Sequence, residues 1–128
     1  MSKAVLDASA VLAVIQRERG ADKLTAAVLE DAVISAVNMA EVQTKLVKNG
    51  ASPAEGWARA LSLVPRVEVF TAEHARIAGD LIAETEKYGL SLGDRSCLAL
   101  AIALNAPVYT TEQAWKNLKV GIPIHVIR

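Results

Sequence analysis

Apolar runs of four residues alternate along the whole chain with longer segments of helical spacing, and this alternation constrains the fold more than any other feature. Lys3 to Leu6, Ala32 to Ser35, Val67 to Phe70, Val108 to Thr111 and Ile124 to Ile127 are too short for helices and carry β-branched residues, so they read as strands. Ala8 to Arg17 places Val11, Val14 and Ile15 at helical spacing, and Gly20 opens a second helical stretch carrying Leu24, Val28 and Leu29. Ala36 to Lys48 is helical and is stopped by Asn49-Gly50. Ser52-Pro53-Ala54-Glu55 has the form of a capping box with proline at the first helical position, starting a helix that runs to about Val64. Ala72 to Lys87 predicts one long amphipathic helix ended by Tyr88-Gly89. Ser91 to Leu104 predicts another, ended by Asn105-Ala106-Pro107, and Gln113 to Leu118 a short one. Strands alternating with helices call for an α/β layered fold with a mainly parallel central sheet. With 128 residues, no internal repeat and no long linker, residues 1–128 are expected to form one domain.

Composition removes several classes of function. The only cysteine, Cys97, excludes a disulfide framework and a zinc site built on several thiolates. The two histidines, His74 and His125, stand far apart and exclude a histidine-rich metal site. The densest apolar stretch, Cys97 to Leu104, is far short of the roughly 20 residues a spanning helix needs. Asp7 interrupts Ala4-Val5-Leu6 before an export signal can form. A cytoplasmic chain without a membrane partner is therefore expected. Its 14 basic and 14 acidic residues cancel, whereas proteins that grip long duplex DNA carry a basic excess. The aromatics (Trp57, Phe70, Tyr88, Tyr109 and Trp115) are too few for an extended base-stacking surface. Any contact with nucleic acid has to be local.

Open parallel sheets bind ligands beyond the carboxyl ends of their strands. Asp7 follows the first strand, and Glu112 follows the strand Val108 to Thr111. Asp94 lies in the first turn of the helix from Ser91, and Glu41 on the helix after the strand Ala32 to Ser35. Each acid alone has an ordinary explanation. Asp7 can cap the following helix, and Asp94 can pair with Ser91 in a capping arrangement. Glu41 can pair with Lys45 for about 0.3–0.5 kcal/mol, and Glu112 can face the positive end of a short helix. Brought to one sheet edge, they need a cation. Two carboxylates about 4 Å apart repel by roughly 4 kcal/mol at an effective dielectric near 20. Oxygen donors without thiolate or imidazole select Mg²⁺ or Mn²⁺. Such a cation acidifies a bound water and orients it for in-line attack on a phosphodiester.

The order Val5-Leu6-Asp7-Ala8-Ser9, Ser35-Ala36-Val37-Asn38-Met39-Ala40-Glu41, Leu90-Ser91-Leu92-Gly93-Asp94-Arg95 and Tyr109-Thr110-Thr111-Glu112-Gln113-Ala114-Trp115 resembles the PIN-domain ribonucleases. More narrowly it resembles the VapC-type toxins of bacterial toxin–antitoxin pairs, over nearly the whole chain. The resemblance implies a three-layer α/β/α PIN-like fold, with Asp7, Glu41 and Asp94 as metal ligands and Glu112 as a fourth catalytic acid. Ser9 matches a hydroxyl position that can hold a metal-bound water. The family commonly has Asp where Glu112 stands. One added methylene extends the reach by about 1.5 Å, so Glu112 either holds the metal through water or contributes only negative potential. Thr110 and Thr111 are candidate hydroxyl donors, and Arg95 is expected either to contact phosphate or to neutralise Asp94. Lys45, Lys48, Lys116 and Lys119 also stand near the proposed site as candidate phosphate contacts, and read more readily as solvated face residues or antitoxin contacts.

The activity implied is that of a Mg²⁺- or Mn²⁺-dependent endoribonuclease leaving 5′-phosphate and 3′-hydroxyl ends. Its expected substrates are structured cellular RNAs such as transfer or ribosomal RNA, cut in exposed single-stranded loops whose nucleotides reach a small site without unwinding. The implied partners are a second copy, as a homodimer, and a cognate VapB-like antitoxin. The apolar faces of Ala8 to Glu30 and Ala36 to Lys48 offer either a groove for an antitoxin helix or surfaces that pack on each other. An alternative keeps the fold and weakens the site, giving an RNA- or antitoxin-binding module without turnover. A phosphotransferase receiver is opposed by the strand ending Phe70-Thr71, which offers no Asp, and by Asp7-Ala8-Ser9, which lacks a paired acid.

Overall fold

Strands β1 (Ala4–Leu6) and β2 (Ala32–Ser35) are buried along their entire length in the computed structural model, which describes residues 3–128. Burial on both faces is what a parallel sheet covered by helices requires. The sheet is completed by β3 (Val67–Glu68), β4 (Val108–Thr110) and β5 (Ile124–Val126). All pairings are parallel, in the order β3-β2-β1-β4-β5. Every strand therefore presents its carboxyl end to the same edge.

The connecting helices are α1 (Ala8–Ile15), α2 (Ala26–Glu30), α3 (Ala36–Lys48), α4 (Pro53–Leu63), α5 (Ala72–Asp80), α6 (Ile82–Thr85) and α7 (Leu92–Leu104). Alternation along the strands divides the core between the two faces of the sheet. Leu6 and Ile34 pack with Ala10 and Val11 of α1, Met39, Val42 and Leu46 of α3, and Ala60 of α4. Val5, Val33 and Val108 pack with Cys97, Leu98, Leu100 and Ala101 of α7, and with Trp115 in a 3₁₀ turn (Gln113–Asn117). The result is the three-layer α/β/α arrangement expected from the sequence. No helix among the described residues is long and apolar enough to cross a membrane.

Several boundaries differ from expectation. Helix α1 stops at Ile15 and not at Arg17, because Arg17 adopts a left-handed φ of 54°. Strand β3 is only Val67–Glu68, short of Phe70. The single helix expected over residues 72–87 is broken after Asp80 and finishes in a 3₁₀ turn, Glu86–Tyr88. A tertiary contact lies at the break. A continuous helix would give the Ala78 carbonyl to the Ile82 amide, but that carbonyl accepts from Arg95 Nη1 of α7 at 2.9 Å. Thr85 Oγ1 then donates back to the Leu81 carbonyl at 2.8 Å, a bond that bends helices. At Ser52 only half of the expected capping box forms among the described residues: Ser52 Oγ accepts from the Glu55 amide at 3.2 Å.

Candidate functional site

Asp7 ends β1 at the carboxyl edge of the sheet and caps α1, and both roles fall on one carboxylate. Oδ1 accepts from the Ala10 amide at 2.8 Å and from Ser9 Oγ at 2.7 Å, while Oδ2 accepts from Thr110 Oγ1 at 2.6 Å. The Thr110 hydroxyl in turn accepts from the Glu112 amide at 3.0 Å, and Ser9 Oγ accepts from the Thr111 amide at 3.0 Å. Asp7, Ser9 and the turn after β4 are thus tied together by two hydroxyls. Asp7 is only 3% exposed. Burial pushes its pKa up from 3.8 to about 6, outweighing the three donors, and the nearby charge of Asp94 pushes the same way.

Asp94 enters from the start of α7, where it too does both things the sequence allowed. Its Oδ2 accepts from the Ser91 amide at 2.9 Å, and its own amide donates to Ser91 Oγ at 3.1 Å, closing a reciprocal capping box. Oδ1 takes no protein donor among the described residues. Glu41 comes from the second turn of α3. The ion pair with Lys45 that its spacing suggests is not made; Glu41 Oε1 accepts instead from Asn38 Nδ2 at 2.9 Å. The same Asn38 Nδ2 donates to the Gly93 carbonyl at 2.9 Å, so one buried amide joins α3 to the first turn of α7. The Glu41 carboxylate lies directly against Gly93. A Cβ at that position would fall 2.7 Å from Glu41 Cδ and 2.8 Å from Oε1, so any side chain there must displace the carboxylate from this position.

Asp7, Ser9, Asn38, Glu41, Asp94 and Glu112 line one open cavity of about 260 Å³, with Lys45 at its margin. The structure therefore brings together all four candidate acids. A buried reporter agrees: burial raises the Cys97 thiol pKa well above its usual value, and the charges of Asp7, Asp94 and Glu41 add to the effect. Glu112 is exposed and makes no side-chain capping bond to the turn that follows it. Arg95 does not join the cluster. Its guanidinium donates through Nη1 to the Ala78 carbonyl at 2.9 Å, and no ion pair links it to Asp94 among the described residues.

Sequence reading passed over Asn38 and Gly93, although both stand inside the quoted motifs. A glycine in the first turn of a capped helix was the available signal, since that position favours a side chain unless something occupies the space.

The donor set fits a hard divalent cation. It offers only oxygen, leaves Asp94 Oδ1 and Glu41 Oε2 without protein donors among the described residues, and includes a buried carboxylate with no cationic partner. No three acidic, imidazole or thiol groups among the described residues are drawn together as a preformed metal cage.

No curated protein matches the chain in sequence. Solved structures share its fold. VapBC2 from Rickettsia felis, bound to a DNA fragment from its promoter, aligns with a TM-score of 0.72 at 21% identity over 94% of this chain and 96% of that one. DNA-bound VapBC from Salmonella typhimurium gives 0.74 at 18% identity over 97% of both chains. VapC20 from Mycobacterium tuberculosis, described as a sarcin–ricin loop cleaving toxin, gives 0.73 at 18% identity over 94% of this chain and 100% of that one. The sequence profile of the PIN domain matches residues 4–120, a span running from β1 to just past the turn that follows Glu112. A match of that extent, on a parallel sheet with its acids gathered at the carboxyl edge, establishes that the chain belongs to the PIN domain family.

Proposed function

We propose that this protein is a VapC-type toxin, a Mg²⁺- or Mn²⁺-dependent endoribonuclease restrained by a cognate antitoxin. The observation that carries the reading is the buried Asp7 carboxylate, held at a raised pKa in one cavity with Glu41, Asp94 and Glu112. Asp7, Glu41 and Asp94 would hold the ion. When bound, it supplies positive charge for the carboxylates and the phosphate, and it acidifies water. Ser9 and Thr110 fix both oxygens of Asp7, so its orientation is set before substrate arrives. Asn38 and Gly93 do the same for Glu41. Glu112, at the rim, contributes negative potential and accepts a proton from the attacking water. Attack at phosphorus with departure of the 3′-oxygen leaves 5′-phosphate and 3′-hydroxyl ends.

Nothing in this chemistry requires a 2′-hydroxyl, so preference for RNA rests on shape and contacts. Single-stranded loops of structured RNA fit a cavity this small, and the similarity to VapC20, a sarcin–ricin loop cleaving toxin, supports that substrate class. The VapBC complexes among its structural neighbours support an antitoxin partner. We further read the active form as a cytoplasmic homodimer.

The test is cleavage of total RNA by the purified chain with Mg²⁺ or Mn²⁺, with EDTA, and with Asp94→Asn. Cleavage is expected only with the metal, and Asp94→Asn should abolish it while the circular-dichroism melt stays cooperative. Cutting at the wild-type rate by Asp94→Asn refutes the assignment. Sequencing RNA 5′ ends after induction then identifies the target.

A further inference from the structure

The site cavity does not end at Glu41. A second cavity, of about 310 Å³, continues along the exposed face of α3 between Ala40, Glu41, Thr44, Lys45 and Lys48, and the two share Glu41 and Lys45. Lys45 and Lys48 are three residues apart, hence neighbours on one face with a rise of about 4.5 Å between them. Neither forms an ion pair among the described residues. Thr44 Oγ1 is engaged by the Ala40 carbonyl at 2.8 Å, so two free ammonium groups are the only cations along this floor. The chain as a whole has no basic excess, so attraction for a polyanion has to be supplied locally.

We propose that this face of α3 is a phosphate track, on which Lys45 and Lys48 hold the sugar–phosphate backbone of a single-stranded RNA beside the scissile bond. The inference rests on the nuclease reading and deepens it by naming a substrate subsite. A cationic strip that opens into an acidic, metal-requiring pocket has the charge order a phosphodiester strand needs. The metal centre takes the reacting phosphate, and the lysines take its neighbours. These are positioning contacts and carry no sequence information.

Counterion release makes the proposal measurable. Binding of fluorescein-labelled oligouridine to the full chain carrying Asp94→Asn is followed by anisotropy with Mg²⁺ from about 50 to about 200 mM salt. Each phosphate contact on a single strand contributes about 0.7 to the slope of log affinity against log salt, so Lys45→Ala with Lys48→Ala should lower it by about 1.4. Across that range the double variant then loses about sevenfold less affinity than its parent. Lys→Arg at both positions should restore the slope. Arg19→Ala with Lys23→Ala, two exposed cations beyond the far end of α1, should leave it unchanged. KM for cleavage by the otherwise wild-type chain, read over the same salts, gives a second measure. An unchanged slope in the lysine pair, or an equal drop in the control pair, overturns the track. If the wild type still cleaves RNA, only the track falls; if it neither binds nor cleaves, the nuclease reading falls with it.

Discussion

Asp7→Asn in the metal-free chain should abolish a pH dependence of stability that the wild type carries. The Asp7 carboxyl is 3% exposed, and burial lifts its pKa from 3.8 to about 6 despite three hydrogen-bond donors. The folded state therefore holds the proton more tightly than the unfolded state. Below about pH 3 both states are largely protonated and no stability is lost; the loss begins as the unfolded carboxyl ionises near 3.8. As pH rises through 6 the folded chain must ionise a buried acid, and stability falls. The gap between 3.8 and about 6 is worth about 3 kcal/mol at 1.36 kcal/mol per pH unit. About 1.4 kcal/mol of this disappears between pH 5 and pH 7.5, because at pH 5 the unfolded carboxyl is already ionised. Asn accepts from the Ala10 amide and Ser9 hydroxyl as Asp does, and the Thr110 hydroxyl can turn to accept from its amide group. Urea denaturation in EDTA at the two pH values gives wild-type minus variant stability, in which all other titrations cancel. That difference should become less favourable to the wild type by about 1.4 kcal/mol from pH 5 to pH 7.5. A flat difference, or one of opposite sign, refutes the claim that burial dominates at Asp7. Saturating Mg²⁺ should reverse the trend, since a cation favours the ionised form.

Gly93→Ala places a methyl group where the Glu41 carboxylate lies, yet alanine is the better helix former by about 1 kcal/mol. Cleavage should fall at least about tenfold, with ΔΔG‡ above about 1.4 kcal/mol, while the melting temperature holds; undiminished cleavage would remove Glu41 from the mechanism. Arg95→Ala strips the Ala78 carbonyl of its donor and should cost about 1–2 kcal/mol in urea melts, leaving the salt slope of RNA binding unchanged. A reduced slope would return Arg95 to the phosphate contact first expected of it. Trp115→Ala empties a fully enclosed position under α7 and should cost about 3–5 kcal/mol by denaturant titration. Magnesium at 100-fold its Kd should stabilise the chain by about 2.7 kcal/mol in the same assay, and a melt indifferent to Mg²⁺ counts against a shared ion.

The parallel sheet and the gathering of the acids were legible in the sequence because both follow from local signals. Short β-branched runs and helical spacing identify the elements, and right-handed βαβ connections bring every strand end to one edge. Asp7 and Asp94 were each open to a capping reading and a site reading; both carboxylates cap a helix and both line the cavity. What the sequence could not convey depends on contacts between distant segments. The spacing of Ala72 to Lys87 is continuous, whereas the break coincides with Arg95 reaching the Ala78 carbonyl from another helix and with the Thr85 hydroxyl bonding the Leu81 carbonyl. The four-residue separation of Glu41 and Lys45 suggested an ion pair, but Asn38, three residues before Glu41 and also bonded to Gly93, takes the carboxylate. Arg95 beside Asp94 in sequence implied proximity of charge, yet successive residues on a helix point about 100° apart.

Cys97 lies beneath the acids where α7 meets the sheet, fully enclosed, with its thiol kept protonated by burial and by Asp7, Asp94 and Glu41. A lone sulfhydryl in that place works as a native stopwatch for breathing of the cavity floor. An alkylating reagent can trap it only in molecules whose α7 has lifted, so the trapping rate counts those excursions without any engineered tag. Whatever clasps α7 to its neighbours from above lengthens the time to capture, whether or not a bond is ever cut there.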